Sequence, residues 1–157
     1  MTLPLYPVDR VVPHRPPMIL IDEVVSRQAE HIVAAVTIRA TDLFFQPGRG
    51  TPSRVAIEWM AQTCAAFAGS EAIDEGGAVR IGFLLGTRDF RCTQGWFTEG
   101  TRLFVRAHLE YHDNEIANFA CEVAGPAEGP ALATASLNVF HPHDAGSLID
   151  SQAGPTT

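Results

Sequence analysis

Two residues in this chain have the chemistry and the setting for proton transfer: Glu58 and His14. Glu58 is the only charge between Val55 and Ala68, a run dominated by alanine and other apolar residues. A carboxylate on a buried apolar helix is costly unless paired or protonated. Burial would raise its pKa toward the range of a general acid working near neutrality. The alternative is a structural glutamate that binds an arginine or closes a loop. Gln62 follows four residues later on the same helical face, either as a substrate contact or as a buried amide that satisfies backbone groups. His14 sits in Val12-Pro13-His14-Arg15-Pro16-Pro17, where the prolines restrict the backbone and hold an imidazole in a defined place.

The remaining histidines carry less. His108 and His112 fall at even positions of an alternating strand together with arginines and an acid. That pattern describes a solvated face, and no ligand spacing supports zinc. His31, His141 and His143 flank loops or the terminus. The loop Pro47-Gly48-Arg49-Gly50 enters the Glu58 helix, and free N–H groups at such an entry can polarise a carbonyl or hold an anion.

The elements that must position these groups can be read from periodicity. Ser53 to Ala72 has no internal proline, and Pro52 stands next to its first turn, so the segment predicts one long buried helix. Residues 31–40 predict a strand, as do 79–91, 102–113, 116–124 and 132–140. In the 102–112 segment Leu103, Val105, Ala107, Leu109 and Tyr111 are expected on one face, with Arg102, Arg106, His108, Glu110 and His112 on the other. Short connections favour an antiparallel meander. The result is an α+β domain of five to six strands wrapped around one helix, over residues 1–141, with a disordered tail from 142 to 157. A sheet with a single helix on it calls for a partner.

Composition removes whole classes of function. The chain has 157 residues, a net charge of −7, and eleven basic residues that are all arginine. Without a basic block it lacks a nucleic-acid footprint, and without lysine it cannot use Schiff-base or P-loop lysine chemistry. No segment is long and apolar enough for a membrane helix, and no secretory leader is visible, so a cytoplasmic location is expected. Cys64, Cys92 and Cys121 form no CxxC pair and are expected as reduced, buried thiols.

Taken together, Val12-Pro13-His14-Arg15-Pro16-Pro17-Met18-Ile19-Leu20-Ile21-Asp22, Phe44-Phe45-Gln46-Pro47-Gly48 and Ile57-Glu58-Trp59-Met60-Ala61-Gln62 resemble the PHRxPxLLxD, FFPG and IEAMAQ segments of bacterial β-hydroxyacyl-acyl-carrier-protein dehydratases. Residues 81–91 and 132–140 resemble most closely the branch associated with aryl-polyene pigment clusters. The resemblance spans residues 10–141. It implies a hotdog fold, two subunits joined sheet to sheet, and an acyl thioester on a phosphopantetheine arm in a tunnel between subunits, with no other cofactor and no metal. In the family a loop histidine is the base, and a helix carboxylate contributed across the dimer is its complement. Glu58 matches that carboxylate. The loop here is about four residues shorter and has no histidine, which leaves His14 as replacement base, Glu58 acting alone, or an inactive subunit. The implied reaction is dehydration of β-hydroxyacyl chains to trans-2-enoyl products, with a hotdog thioesterase or a non-catalytic acyl-carrier-protein-binding subunit as alternatives.

On that reading Gln62, Ser53, Gly48 and Gly50 contact substrate. Arg49, Arg54, Arg88 and Arg91 meet the acidic carrier protein or its phosphopantetheine phosphate, unless they simply form surface salt bridges. The partners implied are acyl carrier protein or coenzyme A, and a second copy of the chain, a higher homo-oligomer or a paralogous dehydratase.

Overall fold

The computed structural model describes residues 2–126 and 129–142. Apart from Pro142, the tail expected from residue 142 onward lies outside the described residues, as does His143. The elements are α1 (Val8–Val11), β1 (Glu23–Arg27), β2 (His31–Thr37), β3 (Thr51–Pro52), a 3₁₀ turn (Ser53–Val55), α2 (Ala56–Asp74), β4 (Phe83–Cys92), β5 (Trp96–Phe97), β6 (Arg102–Asp113), β7 (Ile116–Ala124) and β8 (Ala133–Phe140). Six strands make one antiparallel sheet in the order β1-β2-β6-β7-β8-β4, and β3 pairs separately with β5. The sheet curls around α2, which is the hotdog arrangement.

The core lies between helix and sheet. Trp59, Met60, Cys64 and Phe67 of α2 meet alternate residues of β2, β6, β7 and β8, including Ile32, Leu103, Val105, Val123 and Leu137. Phe67 packs edge-on against Phe119, their ring centres 5.5 Å apart. The Sγ atoms of Cys64 and Cys121 lie 3.6 Å apart as free thiols in this interior, where burial pushes the Cys64 thiol well up. Cys92 is free but only half-buried, against the expectation for all three.

The strict alternation expected along β6 fails at its end. Its register against β7 slips between Leu109 and Tyr111, so that Tyr111 pairs with Asn118 and His112 with Ala117. An extra residue reverses every side chain beyond it. Tyr111 therefore points outward and is 56% exposed, whereas His112 turns to the helix side and borders a cavity shared with Glu71.

One feature of the packing decides where His14 sits. The chain from Leu3 to Asp22 runs along α2 in the opposite direction and is fastened at three points. Near the helix C-terminus, Arg27, 2% exposed, donates to Asp74 at 2.6 Å and to the Pro4 carbonyl at 3.1 Å, while the Tyr6 hydroxyl also donates to Asp74. At Gly69 the Val11 carbonyl lies so close that a Cβ would stand 1.9 Å from its oxygen. Toward the N-terminus, Gln62 accepts from the Leu20 N–H at 2.8 Å and donates to the Met18 carbonyl at 2.7 Å. Side-chain amides and a missing Cβ thus lock an irregular, proline-rich segment that has no ladder of its own.

Candidate active site

Between the second and third fastenings the segment brings His14 over the first turn of α2. Its Nε2 lies 3.6 Å from Oε1 of Glu58 in the same chain. The separation is slightly beyond a hydrogen bond, close enough for a small side-chain rotation to make one. Glu58 also accepts from Gln62 Nε2 at 3.2 Å. Gln62, wholly buried, thereby ties the two parts of the site together: it holds the His14-bearing segment at Met18 and Leu20 and touches the carboxylate one turn away.

The burial expected for Glu58 is not found. The side chains of His14 and Glu58 are 28% and 39% exposed, because α2 emerges from the sheet at its first turn. The pair is therefore open to a substrate on one side. The Nδ1 of His14 is buried and has no hydrogen-bond partner.

The other expected contacts divide. The Ser53 N–H donates to the Gly95 carbonyl at 2.9 Å, so it is not free to polarise a carbonyl as expected. The next N–H, that of Arg54, stands at the start of the 3₁₀ turn without an acceptor inside that turn. Gly48 and Gly50 belong to a closed loop in which Gly50 both donates to the Gln46 carbonyl at 2.9 Å and accepts from the Gln46 N–H at 2.8 Å. Gly50 has φ +108°, and a Cβ there would stand 2.1 Å from the Phe97 carbonyl oxygen. Its glycine is accounted for by this close approach to β5. Gly48, at φ +80°, has open space around its Cα and does not serve packing.

Arg49, Arg54, Arg88 and Arg91 are exposed, and none has a carboxylate partner among the described residues. Arg49 stacks over Trp96, 5.4 Å from its ring centre. Arg88 and Arg91 lie on β4, the edge strand, opposite Ser136 and Thr134. The salt-bridge alternative for these four is thus not realised, while Arg27, Arg39, Arg102 and Arg106 do form ion pairs. His108 stacks on His31 with ring centres 4.2 Å apart, on the outer face as expected. Among the described residues no group of three or more His, Cys, Asp or Glu side chains could hold a metal ion, and no helix is long and apolar enough to cross a membrane.

Two buried polar features could not be read from the sequence. The Arg27–Asp74–Tyr6 network had no sequence signal, because its members are 20 or more residues apart. Thr51, 2% exposed with an unpartnered hydroxyl, looked like an ordinary loop threonine.

Residues 6–150 match the ApeP-like family, described as ApeP dehydratase. Among solved structures the chain is similar to the dehydratase heterocomplex ApeI:P from Xenorhabdus doucetiae, at 30% identity over 96% of this chain and 100% of that one, with a TM-score of 0.86. It also resembles a hypothetical thioesterase with coenzyme A from Streptococcus pneumoniae (10% identity, 76% of this chain and 84% of that one, TM-score 0.60). The PaaI protein from the E. coli phenylacetic acid degradation operon is a third (12% identity, 75% and 81%, TM-score 0.58). These last two likenesses show the fold alone. No curated protein sequence matches the chain.

Proposed function

The chain belongs to the ApeP-like dehydratase family, and from that premise we propose that it dehydrates β-hydroxyacyl thioesters carried by acyl carrier protein, with His14 and Glu58 as its acid–base pair. The observation that carries this reading is the 3.6 Å approach of His14 to Glu58 within one chain, at a partly open surface. Removing water across C2 and C3 requires a base for the C2 proton and an acid for the departing C3 hydroxyl. His14 Nε2 takes the C2 proton as the C2–C3 double bond forms. The proton that the pair carries passes from Glu58 to the hydroxyl, which leaves as water. The imidazolium and carboxylate that result are already neighbours, so a proton passing from Nε2 to Oε1 restores the starting pair. The thioester carbonyl, which gathers charge as the C2 proton leaves, faces the Arg54 N–H at the helix entry. Gln62 positions both partners, and Gly48 leaves space for the pantetheine arm beside them.

The reading extends to partners. β4 is an edge strand whose Leu84 and Leu85 are 42% and 58% exposed, with Ile81 just before it at 42%. An apolar sheet edge of this kind is the sort that a second sheet covers. A second copy of this chain or a related dehydratase subunit suits that edge, and the similarity to a dehydratase heterocomplex supports the latter. The acidic carrier protein approaches the four unpaired arginines.

The test is turnover of a β-hydroxyacyl-carrier protein to its enoyl product, alone and with a co-expressed partner subunit. Loss of turnover in Glu58→Gln is expected. Full activity in that variant contradicts the assignment.

A further inference from the structure

The segment that carries His14 lies along one face of α2, and the side chains of that face decide how close it comes. Glu58, Gln62, Ala65 and Gly69 recur at the spacing that puts residues on one side of a helix. At Gly69 the two main chains meet, with no side chain between the helix and the Val11 carbonyl. At Gln62 a side-chain amide spans the gap to Met18 and Leu20. At Glu58 a carboxylate and an imidazole span it together and still stand 3.6 Å apart. Segment and helix are thus closest at Gly69 and farther apart at Glu58, where the pair fills the opening.

Glycine is a poor choice inside a helix, where only proline is less favourable. Gly69 lies within α2 and has no positive φ, so no turn asks for it. Val11 does: a Cβ would stand 1.9 Å from its carbonyl oxygen, 2.8 Å from its carbonyl carbon and 3.0 Å from its Cα. All three are main-chain atoms, so no side-chain rotation relieves the contact. Val11 and Val12 are also buried in the core, which holds the segment from the other side. Beyond them the chain reads Pro13-His14-Arg15-Pro16-Pro17, in which fixed proline φ angles and the restricted residues before them leave little slack. A displacement at Val11 is therefore carried to His14 rather than absorbed.

We propose that Gly69 is a positioning residue for the proton-transfer pair. By admitting the Val11 backbone against α2, it sets the place of His14 relative to Glu58, about three turns away along the helix. The inference rests on the dehydratase reading for what the pair does, whereas the placement of His14 is measurable without any reaction.

Gly69→Ala is the test, read first by NMR and then by kinetics. In the otherwise wild-type chain, Glu58→Gln is expected to shift the Cε1–H signal of His14, because the two side chains are neighbours. In Gly69→Ala that response should be largely lost. An alanine pushes the segment out by about 1 Å, and a misplacement of that size can cost about 10²-fold in rate. The kcat for a β-hydroxyacyl-carrier protein should fall by about that factor, with KM little changed. Added to His14→Gln, Gly69→Ala should cost nothing more. An equal loss with and without the imidazole, or an undiminished NMR response, overturns the proposal. Should Gly69→Ala fail to fold, Pro13→Gly decides, since it loosens the link from Val11 to His14 and leaves the helix contact in place. A lost His14 response then supports the proposal, and a response as large as that of the wild type overturns it. Absence of dehydration by the chain and by its complex removes the catalytic reading, while the NMR response still decides what places His14.

Discussion

Gln62 and Leu20 are 42 residues apart in sequence, yet the amide oxygen of one accepts the backbone N–H of the other at 2.8 Å, and this bond places His14 over Glu58. Replacing Gln62 by Leu would leave the Leu20 N–H and the Met18 carbonyl without partners. We expect a loss of about 2–4 kcal/mol in unfolding free energy, from two unmade bonds at about 1–3 kcal/mol each partly recovered by water. Turnover should fall further than stability explains, because the segment bearing His14 is released. Denaturant unfolding and kcat measured together check this, and a Leu variant that loses stability but keeps kcat would show that Gln62 is structural only.

The Arg27–Asp74 pair predicts an asymmetry. Arg27 is buried and Asp74 is at the rim, with side-chain exposures of 1% and 30%. Asp74→Asn leaves a buried guanidinium without its counter-charge and should fall in the lower part of the ~3–5 kcal/mol range for breaking such pairs. Arg27→Met removes the charge and keeps much of the volume, so it should cost less. Thermal unfolding of the two variants decides.

The same pair fixes a pH dependence. The hydrogen bond from Arg27, then that from Tyr6, holds the Asp74 carboxyl below its ordinary value. A pKa lower in the folded than in the unfolded state gives stability that is complete above the unfolded value, about 3.9, and is lost as pH falls through the folded one. Wild-type stability should therefore drop more steeply below about pH 4 than that of Asp74→Asn.

Gly50→Ala should be poorly tolerated, since its φ of +108° is strained for alanine and the added methyl meets the Phe97 carbonyl. Gly48→Ala also faces a positive φ, but has free space. A larger fall in melting temperature for Gly50→Ala than for Gly48→Ala is expected.

Arg88→Glu and Arg91→Glu should weaken carrier-protein binding through the association rate, with the effect shrinking as salt rises from 0.01 M to 0.15 M and the screening length falls from about 30 to 8 Å. Surface plasmon resonance at the two ionic strengths measures it. A salt-independent loss would place these arginines elsewhere than in the encounter.

Much of the scaffold was legible because its signals are local. Proline-free alanine-rich sequence marks α2, and alternation between turn residues marks β6 and β7, whose limits match the expected ones. What was hidden is long-range or depends on one residue of register. Nothing in the letters around Tyr111 announces the slip that turns it outward and His112 inward. The antiparallel course of residues 3–22 along α2 depends on Gly69, Gln62 and Asp74, each unremarkable alone. Glu58 and His14 stood out by type and setting, but their meeting within one chain, where the family resemblance implies a carboxylate contributed across the dimer, required the fold. The exposure of Glu58 follows from its place in the first turn of α2, which composition does not reveal.

The central claim is that His14 and Glu58 of one chain act as a unit, and a double-mutant cycle on kcat/KM for β-hydroxyacyl-carrier-protein dehydration tests it most directly. Groups that act together are non-additive. His14→Gln and Glu58→Gln should each lower kcat/KM by about 10²–10⁴, and the double variant should be no slower than the slower single one. Losses that multiply in the double variant, or wild-type turnover in Glu58→Gln, would contradict the account.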